Sequence, residues 1–530
     1  MCAQERLVSL FDILGPIMTG PSSSHTAGVL RIGRIGRLLL GGEPEAIVLH
    51  FYGNALGRTY KGHLSDSAIV AGLLGYEEDS PIVRTALQEA ARRNVPVTYH
   101  VAYDSERNPN TVDMRLSRQG KELRVVGITV GGGEIMMTEV DGFAIALSGC
   151  EEGFLLETDG AFDAATMESL FRGRLTAVRR SESDGRTLWT CLMGQAPSDG
   201  DMEALRTMGG VRRIFPLQAI LDRKTDDARA LFTSFDEMFR VMEDKKLSLP
   251  QAAMEYERCQ SGLSDEEIRR RMERIWAVMK ESIQLGISGD NDMVAGFIPR
   301  DSGARLMRAV NEGKTVGGKT LGTAVARAIA TMETNACARC VVAAPTAGSC
   351  GVLPGALTTV AEERNASDDA VVDALLSAAI SGVLVAMRAS LSGSIGGCQA
   401  EIGVASAMTA AALVQLAGGT PRQVAHGMAL AMKNILGLIC DPVAGPVEIP
   451  CIKRNGIGVG NAFAAADMAL AGVESAIPPD EVIGALANTQ KLLPSELRGT
   501  MIGGLGSTPT AIRLKEEWNQ RIFAMARDGK

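Results

Sequence analysis

Three cysteines stand in loop-like stretches of the C-terminal half, where their thiols could hold a metal. Cys398 follows two glycines, Cys440 precedes an Asp-Pro pair, and Cys451 follows a proline. The last two bracket the stretch CDPVAGPVEIPC, whose three prolines each remove a backbone donor and so exclude an ordinary helix or strand. Three thiolates are too few for the four irons of a cubane cluster, and an iron left open could act as a Lewis acid on a substrate oxygen. Spacing alone leaves a second interpretation open, in which the three are ordinary cysteines that share no ligand.

The remaining cysteines do not indicate a metal site or a disulfide framework. Cys337 and Cys340 form a CxxC pair, a spacing that zinc sites and redox proteins use. No second pair and no nearby histidine accompanies it in the sequence, so we interpret both as packed cysteines. Ten cysteines in a chain of 530 residues also do not suggest the disulfide scaffold of a small secreted domain.

Two of the five histidines stand where an anion-binding group or a proton acceptor is expected. His25 lies in SSSHT, a donor-rich loop suited to binding an anion such as a carboxylate. His63 lies in GHLSD with Asp66 three residues on, and a histidine with a pKa of about 6.5 is a suitable proton acceptor near neutral pH. Residue types alone leave both His63 and His25 open as candidates for a catalytic base. The alternative for His63 is a structural histidine bonded to Asp66.

Composition bounds the class of protein. The net charge of −8 and the pI of about 5.5 exclude a nucleic-acid partner, because phosphate binding needs a basic surface. The first residues show no signal peptide. The apolar stretches between 370 and 415 contain charged residues, so we interpret them as buried helices and not as membrane spans. We expect a cytoplasmic protein with no membrane partner.

The chain divides into regions with different patterns of predicted helices and strands, and together these patterns predict an α+β multidomain fold. Residues 1–150 alternate helix and strand and form a mixed α/β domain, with a strand over 45–53. Residues 151–217 read as strand, helix, strand, strand, helix and strand, the ferredoxin-like order. The charged span 218–265 is the predicted linker or docking segment. Residues 266–530 form a large, all-helical domain.

The first helix of that domain has a clear sequence signature. Ser264 and Glu267 are spaced as a capping box, in which each side chain bonds to the other residue's backbone N–H. Apolar residues then recur at helical spacing and mark one buried face. These residues are Ile268, Met272, Ile275, Met279 and Ile283.

Four longer motifs favour the interpretation in which the three cysteines share a ligand. They read GPSSSHTAG (20–28), APTAGSCG (344–351), GGCQAEIG (396–403) and NILGLICDPVAGPVEIPCIKRN (434–455). Together they resemble the iron–sulfur-dependent L-serine dehydratases (L-serine ammonia-lyases), which convert L-serine into pyruvate and ammonia. The resemblance implies a β-type N-terminal domain similar to an allosteric substrate-binding domain, an ACT-like middle module and a helical α-type catalytic domain, fused in one chain.

The resemblance also implies an active site. Cys398, Cys440 and Cys451 would hold a [4Fe–4S] cluster whose remaining iron binds the substrate L-serine, and His63 would take the Cα proton. The candidate substrate-binding residues come from the SSSHT and APTAGS loops and from two asparagines: Ser22, Ser23, Ser24, Thr26, Thr346, Gly348, Ser349, Asn335 and Asn434. Since the histidines and the cysteines lie in different predicted domains, we expect the active site at a domain interface. We also expect a homodimer.

The chain departs from the family pattern at three places. Where relatives usually read GHGTD, this chain has Leu64 and Ser65. A TGGD-like loop is replaced by SGDND over 288–292, and both changes bear on substrate preference. Some members place a cysteine at the extreme C-terminus that folds back onto the open iron, whereas this chain ends FAMARDGK. We therefore expect water or hydroxide as the resting fourth ligand.

Other functions stay open at this stage. A related iron–sulfur lyase would act on L-threonine or L-cysteine in place of L-serine. An amino-acid-sensing regulatory protein would use the ACT-like module and the SSSHT loop as ligand sites, but it leaves the three loop cysteines without a purpose. A pyridoxal-phosphate dehydratase would need a lysine in a recognisable Schiff-base setting, which the sequence does not show.

Overall fold

The computed structural model describes residues 7–53, 56–102, 104, 106–159, 162–222, 229–289 and 292–527, with side chains as far as 522. The chain divides into two compact units. The first, the helical unit, contains Met1–Ser23, Lys61–His63 and Asp227–Lys530. The second, the sheet unit, contains Ser24–Tyr60 and Leu64–Asp226.

Small side chains allow close helix packing in the helical unit. Val404–Leu416 is rich in Ala, Ser and Thr, and residues 404–414 are buried throughout, which places the helix in the middle of the core. The helices of this unit are Leu10–Ile13, Phe235–Lys245, Leu249–Ser261, Asp265–Ile287, Ser302–Asn311, Gly318–Ala336, Val352–Glu363, Asp368–Ala386, Gly393–Gly396, Val404–Leu416, Pro421–Lys433, Cys451–Leu470, Pro479–Leu492 and Pro509–Arg527.

Within the described residues, the helix Asp368–Ala386 is long and apolar enough to span a membrane by its length and composition. However, 83% of its apolar window is buried inside the protein. Its first turn is capped by Ser367, whose side chain accepts from the Ala370 N–H. A core helix meets the same length and composition test, and the burial is that of a core helix.

The first residues of the chain belong to the helical unit and not to the α/β domain predicted for 1–150. The strand Ile17–Thr19 pairs antiparallel with Cys340–Val342. Ser9 donates from its hydroxyl to the buried carboxylate of Glu257 at 2.8 Å, and Leu10 donates from its backbone N–H to the same carboxylate. These contacts join positions more than 240 residues apart, which local sequence patterns do not report.

The span 218–265 is not a linker over its C-terminal part. Phe235–Lys245 and Leu249–Ser261 form two helices. Each begins at a serine cap: Ser234 accepts from the backbone N–H three residues on, and Ser248 makes a full capping box. Their apolar faces, which include the fully buried Tyr256, pack in the main core of the unit. Most of the charge that suggested a linker lies on the opposite, exposed faces, whereas the charge of Glu257 is buried.

The sheet unit contains a six-stranded mixed sheet. Ala46–Tyr52 alternates buried and half-buried residues, so that Ile47, Leu49 and Phe51 face the core. It pairs parallel with Val97–Ala102 and antiparallel with Thr111–Arg118. The spatial order of the strands is Val97–Ala102, Ala46–Tyr52, Thr111–Arg118, Lys121–Gly131, Glu134–Val140 and Phe143–Leu147. The helices of this part are Val29–Leu40, Leu56–Thr59, Ser65–Leu73 and Ala86–Arg92.

A second sheet follows in the same unit, with the chain order strand, helix, strand, strand, helix, strand. Its helices are Ala164–Leu170 and Asp199–Thr207. Its four antiparallel strands lie in the spatial order Val211–Leu217, Glu152–Thr158, Arg186–Met193 and Leu175–Ser183. A small core of its own holds the helices on the sheet, with Phe154, Met167 and Phe171 fully buried.

Candidate metal centre

The three candidate thiols come from three separate segments of the helical unit. Cys398 stands between the short helix Gly393–Gly396 and a π-helical turn, Gln399–Gly403. Cys440 lies in an irregular segment that bridges to Arg498, and the Gly499 N–H donates to the Cys440 carbonyl at 2.6 Å. Cys451 is the first residue of a helix that runs to Leu470. Cys398 and Cys451 thus sit at the ends of elements and Cys440 in irregular backbone, where the chain can be shaped around a ligand.

The structure brings two of these thiols together with a carboxylate, and the third thiol, Cys451, lies near enough to interact electrostatically with Cys398 and Glu401. The Sγ atoms of Cys398 and Cys440 and a carboxylate oxygen of Glu401 all lie within 4.8 Å of one another. A hydrogen bond with Cys398, followed by burial, raises the pKa of the Cys440 thiol well above its usual value. Burial, followed by the nearness of Cys398 and Glu401, raises the pKa of the Cys451 thiol. A metal would lower all of these pKa values, because it binds the thiolate form.

Arg454 ties the three segments together. It lies one helical turn after Cys451, and its Nη1 donates to the Cys398 Sγ at 3.4 Å and to the Ile439 carbonyl at 2.9 Å. Its Nη2 forms an ion pair with Asp441 at 2.7 Å, with side-chain exposures of only 16% and 2%. This guanidinium places a fixed positive charge beside thiols that would be anionic when they bind a metal.

Glu401 is a member of this group that the sequence reasoning missed. It stands three residues after Cys398, on the π-helical turn, and accepts a hydrogen bond from the Thr346 hydroxyl at 2.8 Å. Burial raises the pKa of its carboxyl group. The signal was present in GGCQAEIG, where a carboxylate follows a cysteine at the spacing of one helical turn. In the sequence it is one of the charged residues within the apolar stretches between 370 and 415.

Glycines surround these donor atoms and leave them room. A Cβ at Gly393 would lie 2.4 Å from the Glu401 Oε2 and 3.3 Å from the Cys440 Sγ. A Cβ at Gly348 would lie 3.2 Å from the Glu401 Oε1, and one at Gly499 would lie 3.5 Å from the Cys440 Sγ. The donors therefore stand in a cradle that side chains would fill. Three thiols and one carboxylate in such a cradle fit a metal cofactor.

The segment between Cys440 and Cys451 is anchored at Glu448. This carboxylate is buried and accepts from three backbone N–H groups, those of Ala295, Gly296 and Phe297, at 2.8–2.9 Å. Phe297 packs edge-on against Trp518 of the helix Pro509–Arg527, in a small core with Val443 and Ala444. The C-terminal helix therefore covers the segment that carries two of the thiols. In the neighbouring SGDND loop, residues 290 and 291 lie outside the described residues.

The APTAGS loop reaches the same group through hydrogen bonds. Thr346 donates to Glu401, and Asn455 donates both to the Gly348 carbonyl at 3.0 Å and to the Cys451 carbonyl at 2.9 Å. Ser349 is buried and donates to the Ala344 carbonyl. The loop and the metal-binding segments are thus one connected structure.

The two candidate asparagines differ in their surroundings. Asn335 is buried and donates to the carbonyls of Ala347 and Pro21, which joins the first residues of the chain to the APTAGS loop. Ser23 contributes to the same join, because its Oγ accepts from the Ala347 N–H at 3.5 Å. Asn434 is exposed at the end of Pro421–Lys433, where it donates to Asn461.

Comparison with known proteins shows what this arrangement belongs to. Residues 244–506 match the family model for the serine dehydratase alpha chain, and residues 9–119 match that for the serine dehydratase beta chain. An L-serine dehydratase of Streptomyces coelicolor is 30% identical over 512 residues, which cover 94% of this chain and 98% of the relative. The chain belongs to the serine dehydratase family.

Further relatives place the two parts of this serine dehydratase in one chain or in two. L-serine dehydratase 2 of Escherichia coli is 30% identical over 514 residues, 94% of this chain and 98% of that protein. The probable L-serine dehydratase alpha chain of Bacillus subtilis is 42% identical over 287 residues, 54% of this chain and 95% of that protein. The chain thus carries the alpha and beta parts fused, as the motifs predicted.

The candidate bases both fall in the beta-chain part of this serine dehydratase, but the structure assigns them to different units. His63 groups with the helical unit. The neighbouring residue Gly62 packs closely on the segment between Cys440 and Cys451. A Cβ added to Gly62 would lie only 3.1 Å from the backbone nitrogen of Pro446. The candidate base His63 and the thiols, which the sequence placed in separate domains, therefore belong to one unit.

His25 groups with the sheet unit, on a π-helical turn over Ser23–Gly28 that includes Ser24 and the buried Thr26. Its Nε2 lies 3.1 Å from the Asn110 Oδ1, and its Nδ1 lies 3.3 Å from the Thr59 hydroxyl. Burial lowers its pKa to about 4. The imidazole is therefore neutral at pH 7, with neutral partners on both ring nitrogens. Ser22, just before this turn, is half-buried.

Proposed function

We propose that the chain is an L-serine dehydratase that converts L-serine into pyruvate and ammonia, with a [4Fe–4S] cluster held by Cys398, Cys440 and Cys451. The observation that carries the proposal is the close group of Cys398, Cys440 and Glu401, with Cys451 beside it, inside the part that matches the serine dehydratase alpha chain. The full-length relatives named L-serine dehydratase support the substrate and the reaction.

The donor set supports an iron–sulfur cofactor. Thiolates favour iron–sulfur clusters and zinc, and the glycine cradle leaves space beside the Cys440 sulfur. When bound, the cluster would supply a Lewis-acidic iron that lacks a thiolate ligand and favours departure of the β-hydroxyl group. Arg454 would offset part of the negative charge of the thiolates through its contact with Cys398.

The chain's own residues would position the substrate and move the proton. The APTAGS loop lies beside the donor group through Thr346 and Asn455, so its hydroxyls and backbone N–H groups would bind the carboxylate of L-serine. Burial of this region would exclude bulk water and so strengthen electrostatic contacts to the substrate.

His63 would act as the base that takes the Cα proton. The support for this role is the packing of Gly62 on Pro446, which fixes the histidine's segment beside the thiol-bearing loop. His25 is less suited to the role, since its lowered pKa and its two hydrogen bonds leave it a weak proton acceptor. We assign His25 to shaping the SSSHT turn.

The finer features of the fold also belong to this proposal. The strand–helix–strand–strand–helix–strand order of 151–217 and its sheet order support an ACT-like module. A homodimer and a cytoplasmic location remain predictions. The departures at Leu64 and in SGDND keep L-threonine and L-cysteine as alternative substrates.

Anaerobic reconstitution with iron and sulfide, followed by a pyruvate assay, tests the function. We expect about four iron and four sulfide per chain, with pyruvate formed from L-serine faster than the matching keto acid from L-threonine or pyruvate from L-cysteine. Cys440→Ala should lose both the cluster and the activity, whereas Cys259→Ala, on the helix Leu249–Ser261, should keep both. A Cys440→Ala variant with normal iron content and activity would refute the assignment.

The same experiment separates the rival functions. One metal ion per chain without sulfide would indicate a mononuclear site. Absence of any keto acid from all three amino acids would favour the regulatory protein. For the base, His63→Ala should lower kcat while the iron and sulfide content stays that of the unmodified chain.

A further inference from the structure

We propose that Glu401 is the fourth protein ligand of the metal centre, on the iron that the three cysteines leave without a thiolate. The inference rests on the proposed function, because it assumes that the cysteines hold a cluster. It replaces the water or hydroxide expected from the sequence with a carboxylate from the chain itself. The ligand would occupy this iron in the resting protein.

The first support is position. A carboxylate oxygen of Glu401 lies within 4.8 Å of the sulfurs of both Cys398 and Cys440. Glu401 stands on the π-helical turn Gln399–Gly403, and such turns occur frequently at functional sites. Gly393 allows the approach, since any Cβ there would lie 2.4 Å from the Glu401 Oε2.

The second support is the contrast between the half-buried Glu401 and the fully buried glutamates of the helical unit. Glu448 accepts from three backbone N–H groups, and Glu333 accepts from those of Ser302 and Gly303. Glu257 accepts from Ser9 and from the Leu10 N–H. Each of these carboxylates ties separate chain segments together through backbone donors.

Among the hydrogen bonds of the described residues, none joins the Glu401 carboxylate to a backbone N–H. Among the described residues, the Thr346 hydroxyl is the hydrogen-bond donor recorded for its carboxylate. A buried carboxylate offers about four acceptor positions, and burial of a charge is costly unless it is paired or bound to a metal. Its second oxygen, Oε2, lies beside Gly393, and one of the two carboxylate oxygens lies within 4.8 Å of both sulfurs. A metal in that cradle would satisfy it.

Coordination would need no additional reactant. The carboxylate oxygen donates a lone pair to iron, and any proton on the carboxyl group leaves to solvent when the metal binds, as it does from the thiols. Thr346 would hold the other oxygen of the carboxylate and so orient it, as hydrogen-bond partners commonly do for metal ligands.

The experiment measures retention of the fourth iron and not activity. The reconstituted full chain is compared with Glu401→Gln, Glu401→Asp and, as a matched control, Glu257→Gln, which alters a buried carboxylate bound to Ser9. Each protein is exposed to a limited amount of oxidant, and electron paramagnetic resonance follows conversion of the cluster to the three-iron form. Mössbauer spectra of protein refilled with labelled iron report the ligand field of the fourth iron.

We expect Glu401→Gln to lose the fourth iron about tenfold faster than the unmodified chain and to change the Mössbauer parameters of that iron. Glu401→Asp should lie between the two, and Glu257→Gln should match the unmodified chain. Thr346→Val removes the hydrogen bond but leaves the carboxylate, so it should retain the iron better than Glu401→Gln.

Two results would overturn the inference. If Glu401→Gln keeps the unmodified rate and spectrum, the carboxylate is only a hydrogen-bond partner of Thr346. The same conclusion follows if Thr346→Val and Glu401→Gln lose iron equally fast. If the unmodified chain binds no four-iron cluster at all, the proposed function itself fails and the inference fails with it.

Discussion

Replacing Arg454 by methionine tests whether the guanidinium holds the thiol-bearing segments in place. The ion pair with Asp441 is buried, with the aspartate side chain only 2% exposed and the two atoms 2.7 Å apart. Removing one partner of a buried pair leaves an uncompensated charge, which lowers the free energy of unfolding by about 3–5 kcal/mol. Loss of the bond to the Ile439 carbonyl adds about 1 kcal/mol. We expect a loss of about 4 kcal/mol or more.

The assay is urea unfolding of the metal-free chain, so that binding of a cofactor does not contribute to the measured stability. Trp276 and Trp518 lie in the helical unit and report its transition by fluorescence. Arg269→Met is the matched control, because Arg269 pairs with Asp369, whose side chain is 82% exposed. Such surface pairs contribute about 0–1 kcal/mol, so the control should unfold almost as the unmodified chain does.

A double-mutant cycle with Asp441→Asn isolates the pair. If the buried pair causes the loss, the two changes together should destabilise the unit by about 2 kcal/mol less than the sum of the single changes. The reasoning is refuted if Arg454→Met loses less than about 1 kcal/mol, or if the two effects add within about 0.5 kcal/mol.

Four further predictions use other features. The pKa of about 4 for His25 lies below its unfolded value of 6.5, so the unfolded chain binds a proton at a higher pH than the folded chain does. The free energy of unfolding should therefore fall by about 3 kcal/mol as the pH drops from 6.5 to 4. Unfolding measured as a function of pH should show a smaller decrease for His25→Gln. Leu64 has a left-handed backbone with φ of 53°, so Leu64→Gly should leave the free energy of unfolding unchanged or raise it by up to about 1 kcal/mol, with Tm unchanged or higher. A clear loss of stability would show that the contacts of the leucine side chain outweigh its backbone strain. Glu448→Ala should cost about 3 kcal/mol and remove hydrogen-exchange protection from the three backbone amides that it holds, while unchanged protection would contradict the anchor. Gly393→Ala should halve or abolish iron uptake, because its Cβ fills the cradle, whereas Gly484→Ala, with open space around it, should bind iron normally.

Local patterns in the sequence predicted much of the fold. The helix Asp265–Ile287 begins after Ser264, whose side chain accepts from the Glu267 N–H, and it buries the predicted apolar face. The reciprocal bond of the capping box is not among those that the structure records for this helix. The elements of 151–217 also occur in the predicted order. These features depend on neighbours within a few residues, which is why periodicity reports them.

Contacts between distant segments could not be predicted in this way. The pairing of Ile17–Thr19 with Cys340–Val342 leaves no trace in either local sequence, and it moves the first residues into the helical unit. The many charged residues of 218–265 suggested a linker, but the span contains two short amphipathic helices, each with one buried face. The convergence of the thiols was expected from family motifs, and Glu401 was missed because a single acidic residue in an apolar helix is more often an interruption than a ligand.

The contacts of Arg454 also have a consequence for the order of assembly. Cys398 and the helix that begins at Cys451 are separated by the whole of Val404–Leu416 and Pro421–Lys433, and the guanidinium bridges them only after these helices have packed. A partly synthesised chain that ends before Cys451 would contain Cys398 and Cys440 but neither Cys451 nor Arg454. A metal cofactor that needs all of these groups would therefore be inserted only after the segment that carries Cys451 and Arg454 has been synthesised.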